Sequence, residues 1–326
     1  MRTGNPLWDR FERNAHRTFE EAASRYLQEF DGKDKRRQRC ALESTIPYIG
    51  DHKLIDVTDS ALEGFKEDRK KGCGAFVRPA MAGTINKELT TVVTVMNRAR
   101  RDWMWTPADP RIRHVKGAHR VAYPLTWEEQ GRLFWALGDN WSMGAALFAV
   151  NTGVRRAELF GLEWKDMTPI PELETFVFTL GGYDENGFPK TKNGMDRAVI
   201  CNSIARRAVD YQRDNGSKLV FPSKARNNKG GRVRCTNGVW HMAWKKAGLP
   251  DDPLIRKGIH NLRHTFAHRL RAASVPEEDR NMLLGHANAS LSQHYALPDI
   301  ERLAEMAERV TERRDTIVLR SIRTAV

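Results

Sequence analysis

The sequence predicts a mostly helical protein with a small antiparallel sheet, of the α+β class and in two domains. Its 326 residues exceed one domain at roughly 100–200 residues each. In the first hundred residues, no segment has the period-two alternation of a strand. Several segments there begin with helix-start signals. The aromatic and β-branched run Thr175–Leu180 precedes a turn-rich stretch and a second short run near Arg197–Cys201. That order is typical of a β-hairpin, so the sheet is expected in the second half of the chain.

The first domain, residues 1–105, is predicted to be a bundle of four helices. Thr18–Glu21 and Ser60–Glu63 both have the Ser/Thr-x-x-Glu pattern, in which each side chain caps the other's backbone donor. The first helix is therefore expected to begin near Phe19. A longer helix is expected from Thr84, with apolar residues inward and Arg98 outward.

Residues 106–122 differ in composition from the helical segment and predict a basic linker. Two prolines and four Arg or Lys residues, including Lys116 and Arg120, occur there without apolar periodicity. Two interpretations stay open, a solvated tether and a strap that follows phosphates. A further capping box, Thr126–Glu129, indicates that the second domain opens at about residue 123.

The second domain, residues 123–312, is predicted to be helical around the small sheet. Leu219–Phe221 is a candidate third strand. Residues 313–326 form a C-terminal tail. The helices are expected at 126–137, 141–151, 155–162, 236–247, 260–273, 276–284 and 299–312.

The charge balance indicates a polyanionic partner. The chain has 54 Lys and Arg against 41 Asp and Glu, a formal charge of +13, so nucleic acid is expected before a membrane surface. No run of apolar residues approaches the roughly 18 that a membrane span needs, and the N-terminus lacks the apolar stretch of a signal peptide. Four widely spaced cysteines are expected to be reduced thiols. The sequence thus predicts a cytosolic protein. Neither a membrane partner nor a small-molecule substrate is expected.

Arg155, in the segment TGVRRAEL, is the first candidate site residue. On a helical wheel it falls between Leu159 and Leu162, on the face expected to be buried. A guanidinium there needs a partner. Either Glu158 pairs with it structurally, or the arginine clamps a phosphate or oxyanion in a cleft.

His260 and Arg263, in HNLRHTF, form the second candidate pair. They lie three residues apart on a helix, hence side by side, and an imidazole beside a fixed cation suits phosphate chemistry. His260, His264 and His268 also have the spacing of a metal face. Because the acid of an HExxH motif is absent and no cysteine or carboxylate cluster completes the shell, no metal is predicted.

His286 and Tyr295 complete the set of candidate residues. Gly285 is expected to end a helix and to present His286 just beyond it. Either residue by itself would more often be structural. The order and spacing of all five residues in three motifs carry the functional interpretation.

Arg155 in TGVRRAEL, His260 and Arg263 in HNLRHTF, His286 in LLGH and Tyr295 nine residues later resemble the signature of the tyrosine recombinases of the phage integrase type. The resemblance covers most of the chain. TINKELTTVVTVMNRAR resembles the last helix of that family's core DNA-binding domain, and PLTWEEQGRLFWAL resembles the start of its catalytic domain.

The resemblance implies a C-shaped clamp on duplex DNA, formed by a core-binding and a catalytic domain. It implies that Tyr295 attacks a backbone phosphate to give a 3′-phosphotyrosyl link. Arg155 and Arg263 would hold the non-bridging oxygens, and His260 and His286 would serve proton transfer and hydrogen bonding. The family's general-acid lysine is matched best by Lys192, with Lys190 as the alternative.

Five cations and no acid in Ser223–Arg234 predict a loop that contacts phosphates, although a solvated loop is equally compatible with the pattern. The predicted DNA contacts are Lys224, Arg226, Lys229, Arg232, Arg234, Lys116, Arg120 and Arg98. In family members a C-terminal tail often docks on a neighbouring protomer of a tetramer. Packing within the same chain is the alternative here.

The predicted function is site-specific DNA recombination by a homotetramer, without metal, nucleotide or other cofactor. An additional arm-type DNA-binding domain is not expected ahead of the first helix. The alternatives are a type IB topoisomerase-like nicking and resealing enzyme, a non-catalytic DNA-binding regulator, and, third, a metallonuclease on the histidine face.

Overall fold

A computed structural model describes residues 6–118, 120–138, 141–182, 196–233, 237–286 and 299–314. The chain divides into two compact units, Met1–His119 and Arg120–Val326. The described residues are mostly helical, with one three-stranded antiparallel sheet in the second unit. The predicted fold class is confirmed.

The first unit is a helical bundle around one apolar core. Its core is formed by residues such as Phe19, Leu42, Phe65 and Val92, all fully buried. The helices are α1 (Pro6–Asn14), α2 (Phe19–Glu29), α3 (Lys35–Ile49), α4 (Glu63–Lys71) and α5 (Ala82–Arg101).

The start of α2 follows the predicted capping box, but α2 is not the first helix. The Thr18 hydroxyl accepts the Glu21 N–H at 3.3 Å, and the Glu21 carboxylate accepts the Thr18 N–H at 3.2 Å. The expectation that the first helix begins near Phe19 is wrong, because α1 precedes it.

The predicted capping box at Ser60 is also wrong. Residues Ser60–Leu62 form a short 3-10 turn, and α4 begins only at Glu63, with no side-chain cap. The local acceptor is the Thr58 hydroxyl, which lies 3.3 Å from the Ala61 N–H and 2.9 Å from the Ser60 hydroxyl. The sequence offered two hydroxyls two residues apart, and the turn uses the earlier one.

Residues 106–118 of the predicted linker lie along the helical unit. The Asn86 side chain pairs with both backbone groups of Val115, at 3.0 and 2.7 Å, and the Arg113 N–H donates to Asp59 at 2.8 Å. Ile112 and Val115 pack against the helical core. This part of the segment is therefore held by its own unit and is not a free tether.

The second unit begins with an extended stretch that pairs with a distant segment. The Val121 N–H donates to Leu254 at 2.7 Å, and the Arg256 N–H donates to Val121 at 3.0 Å. Its helices are α6 (Trp127–Leu137), α7 (Trp141–Thr152), α8 (Arg156–Leu159), α9 (Ser203–Asp210), α10 (Asn237–Lys246), α11 (Ile259–Ala272), α12 (Glu277–Leu284) and α13 (Ile300–Glu308).

The sheet has the order β1 (Met167–Ile170), β2 (Thr175–Leu180), β3 (Arg197–Ile200), with Val177 opposite Ile200 and Phe178 opposite both Met167 and Val199. The predicted pair β2 and β3 is confirmed. β1 was missed because the run MTPI contains Pro169, which cannot donate to a ladder and is tolerated only in an edge strand. Leu219–Phe221 is not a strand of the sheet, and Leu219 makes only an isolated bridge to Glu163.

Helix α7 contributes to the core of the second unit. It packs against both α9 and α11, and Phe148 contacts Phe178 and Phe221 with ring centroids 6.0 and 5.3 Å apart. None of the helices in the described part of the chain is long and apolar enough to cross a membrane.

Candidate active site

Arg155 precedes helix α8 and faces the interior, although not for the predicted reason. It is the N-cap residue, in extended conformation, and α8 spans only Arg156–Leu159. The expected helix over 155–162 is therefore too long, and the helical wheel does not apply. The Glu158 carboxylate accepts hydrogen bonds from the backbone N–H of Arg155 and from Nη1 of the same arginine, both at 2.8 Å. The ion pair that the sequence suggested is present.

Arg263 lies on α11 and is buried. Its guanidinium donates from Nη1 to the Gly153 carbonyl at 2.6 Å and from Nη2 to the Leu284 carbonyl at 2.5 Å. The row Leu262, Phe266 and Leu270 on the same helix is fully buried, or nearly so. Helix packing thus fixes the guanidinium between the end of α7 and the end of α12.

Sequence reasoning missed Arg197, the first residue of β3. Its side chain is only 9% exposed, and Nη2 lies 2.7 Å from Glu158 Oε2. Nη1 donates to the Leu283 carbonyl at 3.2 Å. The signal was available, because alternation along a strand puts Arg197 on the same face as Val199, which is buried.

The C-terminal turn of α12 brings the arginines together. Three successive carbonyls, of Leu283, Leu284 and Gly285, each accept from a different guanidinium, those of Arg197, Arg263 and Arg155 in that order; the Arg155 bond is 3.0 Å long. Carbonyls at a helix end lack partners within the helix and carry partial negative charge, so cations there are favourable.

Gly285 ends α12 as predicted and presents His286. Its φ of +58° is left-handed, which glycine adopts without strain. The His286 N–H donates to Asn281 at 3.0 Å, and Nδ1 lies 3.4 Å from the Asn281 amide oxygen. The residue as a whole lies at the surface, with its ring partly covered by the cluster.

The positive charges of the cluster influence one another. Burial, together with the charges of Arg263, Arg155 and Arg197, lowers the pKa of His286 below its usual value. Burial and the charges of Arg155 and Arg197 lower the pKa of Arg263 to about 10. The neutral form of His286 is therefore favoured, whereas Arg263, with a pKa of about 10, remains charged at pH 7.

The Glu158 carboxylate is the negative group of this cluster. Burial favours its neutral form, but the charge of Arg197 and the hydrogen bonds from Arg155 outweigh burial and lower its pKa. Three guanidiniums and one carboxylate leave these side chains with a net charge of +2. The arrangement can hold an anion near His286.

His260 lies at the exposed first turn of α11, and its ring meets that of His264 edge to face with centroids 4.9 Å apart. Burial and neighbouring positive charges, those of His260 and Arg256 among them, lower the pKa of His264 to about 4. Within the described ranges, no group of three or more His, Cys, Asp or Glu side chains is arranged to hold a metal ion.

Four predicted site residues, Lys192, its alternative Lys190, Tyr295 and Arg234, lie outside the described residues. The other predicted contacts differ in their surroundings. Lys224, Arg226 and Lys229 are exposed in the loop, as are Lys116 and Arg120 in the linker. Arg232 donates to the Ala157 carbonyl of α8 at 2.5 Å, which ties the loop to the segment that carries Arg155. Arg98 pairs with Asp102 at 2.9 Å and Glu29 at 3.4 Å.

Comparison with curated proteins finds integrases and related recombinases. The integrase of Salmonella phage P22 is 24% identical over 242 residues, which cover 72% of this chain and 58% of the relative. The XerC-like tyrosine recombinase of Caldanaerobacter subterraneus subsp. tengcongensis is 28% identical over 171 residues, 45% of this chain and 42% of the relative. The matches thus span only about half the length of these relatives.

Solved structures share the fold. A lambda integrase tetramer bound to a Holliday junction superposes with a TM-score of 0.64 and 18% identity, over 89% of this chain and 83% of that one. The Tn1549 transposon integrase in complex with a circular intermediate DNA gives 0.65 and 20%, over 89% and 98%. Residues 132–302, more than half of the chain, match the profile of the phage integrase family. The chain therefore belongs to the phage integrase family.

Proposed function

We propose that this protein is a site-specific DNA recombinase that cuts and rejoins duplex DNA through a 3′-phosphotyrosyl intermediate. The observation that carries the proposal is the convergence of Arg155, Arg263 and His286 at the end of α12. These residues come from three separate sequence motifs, and the fold brings them to one turn. Tyr295 follows that turn in the chain by ten residues.

In the proposed step the Tyr295 hydroxyl oxygen attacks a backbone phosphorus. A P–O bond to tyrosine forms as the bond to the 5′-oxygen breaks, the phenolic proton leaves with a base, and the 5′-oxygen takes a proton. A phenol of pKa near 10 is only about one part in a thousand ionised at pH 7, so attack needs a base and nearby cations.

Arg155 and Arg263 are proposed to hold the two non-bridging oxygens. Both have guanidinium planes fixed by carbonyl or carboxylate acceptors, so they need little reorganisation when charge develops on phosphorus. A preorganised donor of this kind contributes about 3–4 kcal/mol to the transition state. His286, whose surroundings favour its neutral form, can donate one hydrogen bond to the phosphate.

Proton transfer is assigned to His260 and Lys192, in the roles that their family motifs imply. His260 is exposed on the first turn of the helix that carries Arg263. Lys192, with Lys190 as the alternative, would protonate the leaving 5′-oxygen. Because the phosphotyrosyl bond conserves the energy of the phosphodiester, the cycle requires neither ATP nor metal-activated water.

Duplex DNA is the proposed partner, bound by a homotetramer. The formal charge of +13 and the exposed cations of the loop and linker support a polyanion. The lambda integrase structure that shares this fold is a tetramer on a Holliday junction, which supports the tetramer. The family resemblance supports docking of the segment 313–326 on a neighbouring protomer, with packing within the same chain as the alternative.

Trapping the covalent intermediate tests the nucleophile. The protein's own site is first identified by selecting the DNA fragments that the protein binds. A duplex that carries this site is then nicked beside the scissile phosphate, so that cleavage releases a short strand that diffuses away. In EDTA the unmodified protein should form an SDS-resistant adduct, Tyr295→Phe should form none, and Tyr211→Phe should match the unmodified protein, since Tyr211 is 86% exposed. Undiminished adduct in Tyr295→Phe would contradict the assignment, and loss of adduct in EDTA would favour a metal-dependent nuclease.

Two further measurements separate the alternatives. A recombinase exchanges strands between two plasmids that carry sites, whereas a topoisomerase only relaxes each plasmid. Lys192→Ala should slow cleavage of an ordinary phosphodiester and not of a substrate with a 5′-thiolate leaving group, which needs no acid. If the thiolate substrate is slowed equally, the general acid is not Lys192.

A further inference from the structure

Arg197 is a third buried arginine at the site, on a different element from Arg155 and Arg263. It opens strand β3, and its side chain is 9% exposed. Its guanidinium bridges two elements, since Nη2 contacts Glu158 on α8 at 2.7 Å and Nη1 contacts the Leu283 carbonyl at the end of α12 at 3.2 Å. One planar group thus joins β3, α8 and α12.

The contact with α12 is close enough to require glycine. A Cβ built on Gly285 would lie 2.4 Å from the Cδ of Arg197, so the arginine stem lies directly against the turn that carries His286. Arg197 therefore limits where this turn, and the histidine after it, can be.

The contact with Glu158 orients Arg155. Oε2 of Glu158 accepts both Arg197 Nη2, at 2.7 Å, and the Arg155 N–H, at 2.8 Å, while Oε1 accepts Arg155 Nη1. With both oxygens occupied, the carboxylate, itself 5% exposed, has one orientation. The Arg155 guanidinium is fixed by it in turn.

Arg197 also decides the net charge of the cluster. Without it, Glu158 would neutralise one of the two remaining guanidiniums and leave a net charge of +1. With it, the net charge of the four side chains is +2. A phosphodiester carries one negative charge, and attack by a phenolate raises this to two in the transition state, so the second positive charge matters most there.

We propose that Arg197 is a positioning residue of the recombination reaction: it fixes Glu158 against Arg155, holds the turn that bears His286, and offsets the carboxylate charge so that the scissile phosphate meets a net charge of +2. This inference rests on the proposed function. Lysine cannot replace it fully, because a single ammonium group lacks the planar fork that spans two acceptors.

Single-turnover adduct formation on the nicked duplex tests the proposal. Arg197→Met removes the charge and keeps much of the length, and Arg197→Lys keeps the charge and loses the fork. Arg213→Met is the matched control, because Arg213 also pairs with a carboxylate, Asp210 at 2.9 Å, but is half exposed. Binding of the intact duplex is measured alongside, and a thermal unfolding scan reports the fold of each variant.

Arg197→Met should slow adduct formation about 100-fold and Arg197→Lys about 10-fold, with duplex affinity within about threefold of the unmodified protein. Arg213→Met should change neither. Arg197→Lys still tests the fork if Arg197→Met does not fold. A variant of Arg197 that folds, binds and forms adduct at the unmodified rate overturns the proposal.

A substrate with an uncharged scissile group distinguishes an electrostatic role of Arg197 from a merely structural one. When a methylphosphonate replaces the phosphodiester, the transition state has one negative charge fewer, so Arg197→Met should slow this substrate by no more than about 10-fold. Arg197→Lys should slow both substrates equally, since its charge is kept. Equal slowing of both substrates by Arg197→Met would refute the electrostatic role.

The two proposals fail in different ways. If the unmodified protein forms no adduct through Tyr295 on its selected site, the proposed function is wrong. If it forms the adduct and the Arg197 variants match it, only the role of Arg197 is wrong.

Discussion

Asn261 attaches the entry of the second unit to the helix that carries the site residues. It is fully buried, its amide oxygen accepts the Tyr123 N–H at 2.8 Å, and its amide nitrogen donates to the Tyr123 carbonyl. One turn on, the Thr265 hydroxyl accepts the Leu125 N–H at 3.1 Å. Two side chains of α11 thus hold an extended segment as a neighbouring strand would.

Asn261→Leu should destabilise the second unit by about 2–5 kcal/mol. Each buried backbone group that loses its hydrogen-bond partner costs about 1–3 kcal/mol, and two such groups of Tyr123 are involved. The added apolar surface of leucine returns part of this cost. Thr265→Val, which removes one acceptor without changing the shape, should cost about 1–2 kcal/mol.

Urea unfolding followed by tryptophan fluorescence measures this loss. Trp244 is a suitable reporter, because its ring meets that of Tyr123 with centroids 5.8 Å apart. Asn227→Leu, at an exposed position of the basic loop, is the control and should stay within about 0.5 kcal/mol. If the free energy of unfolding of Asn261→Leu also stays within about 0.5 kcal/mol of the unmodified value, this amide does not hold the entry segment.

Gly285→Ala should lower the free energy of unfolding in urea by about 1–3 kcal/mol, because φ is +58° and the new Cβ would lie 2.4 Å from Arg197. The control is Gly131→Ala on helix α6, where a Cβ meets nothing within 4 Å, and it should be neutral or stabilising. Equal effects of the two substitutions would contradict this prediction. Unfolding free energy should fall as pH drops from about 6.5 towards 4, since burial lowers the pKa of His264 to about 4 and the unfolded state, with a pKa near 6.5, takes up protons first. His264→Gln should flatten this slope, and an unchanged slope would exclude the histidine as its source. The exposed loop cations Lys224, Arg226 and Lys229 are replaced one at a time by alanine. Each replacement should reduce the steepness of log duplex affinity against log salt concentration by about 0.9. An unchanged slope would show that the loop does not contact phosphates.

The sequence was most informative where local chemistry decides local structure. The capping boxes at Thr18 and Thr126 start α2 and α6 as predicted, and Gly285 ends α12 in the left-handed conformation. The predictions at Ser60 and at Leu219–Phe221 failed, because two nearby hydroxyls and a short apolar run each allow more than one local structure. β1 was hidden by Pro169, which is tolerated in β1 because that strand lies at the edge of the sheet.

By itself the sequence determined the fold class, the family motifs and the identity of Arg155, Arg263 and His286 as candidates, because helix signals and motif spacing are local properties of the chain. Only the tertiary structure decided what surrounds these residues. Arg197 and Glu158 are 39 residues apart, and Arg155 and Gly285 are 130 apart. Such contacts depend on how β3, α8 and the end of α12 pack, and burial then fixes which charges pair. Alternation along β3 is enough to place Arg197 on a buried face, but no periodicity in the sequence encodes its long-range partners, so only the folded chain shows that it joins this cluster.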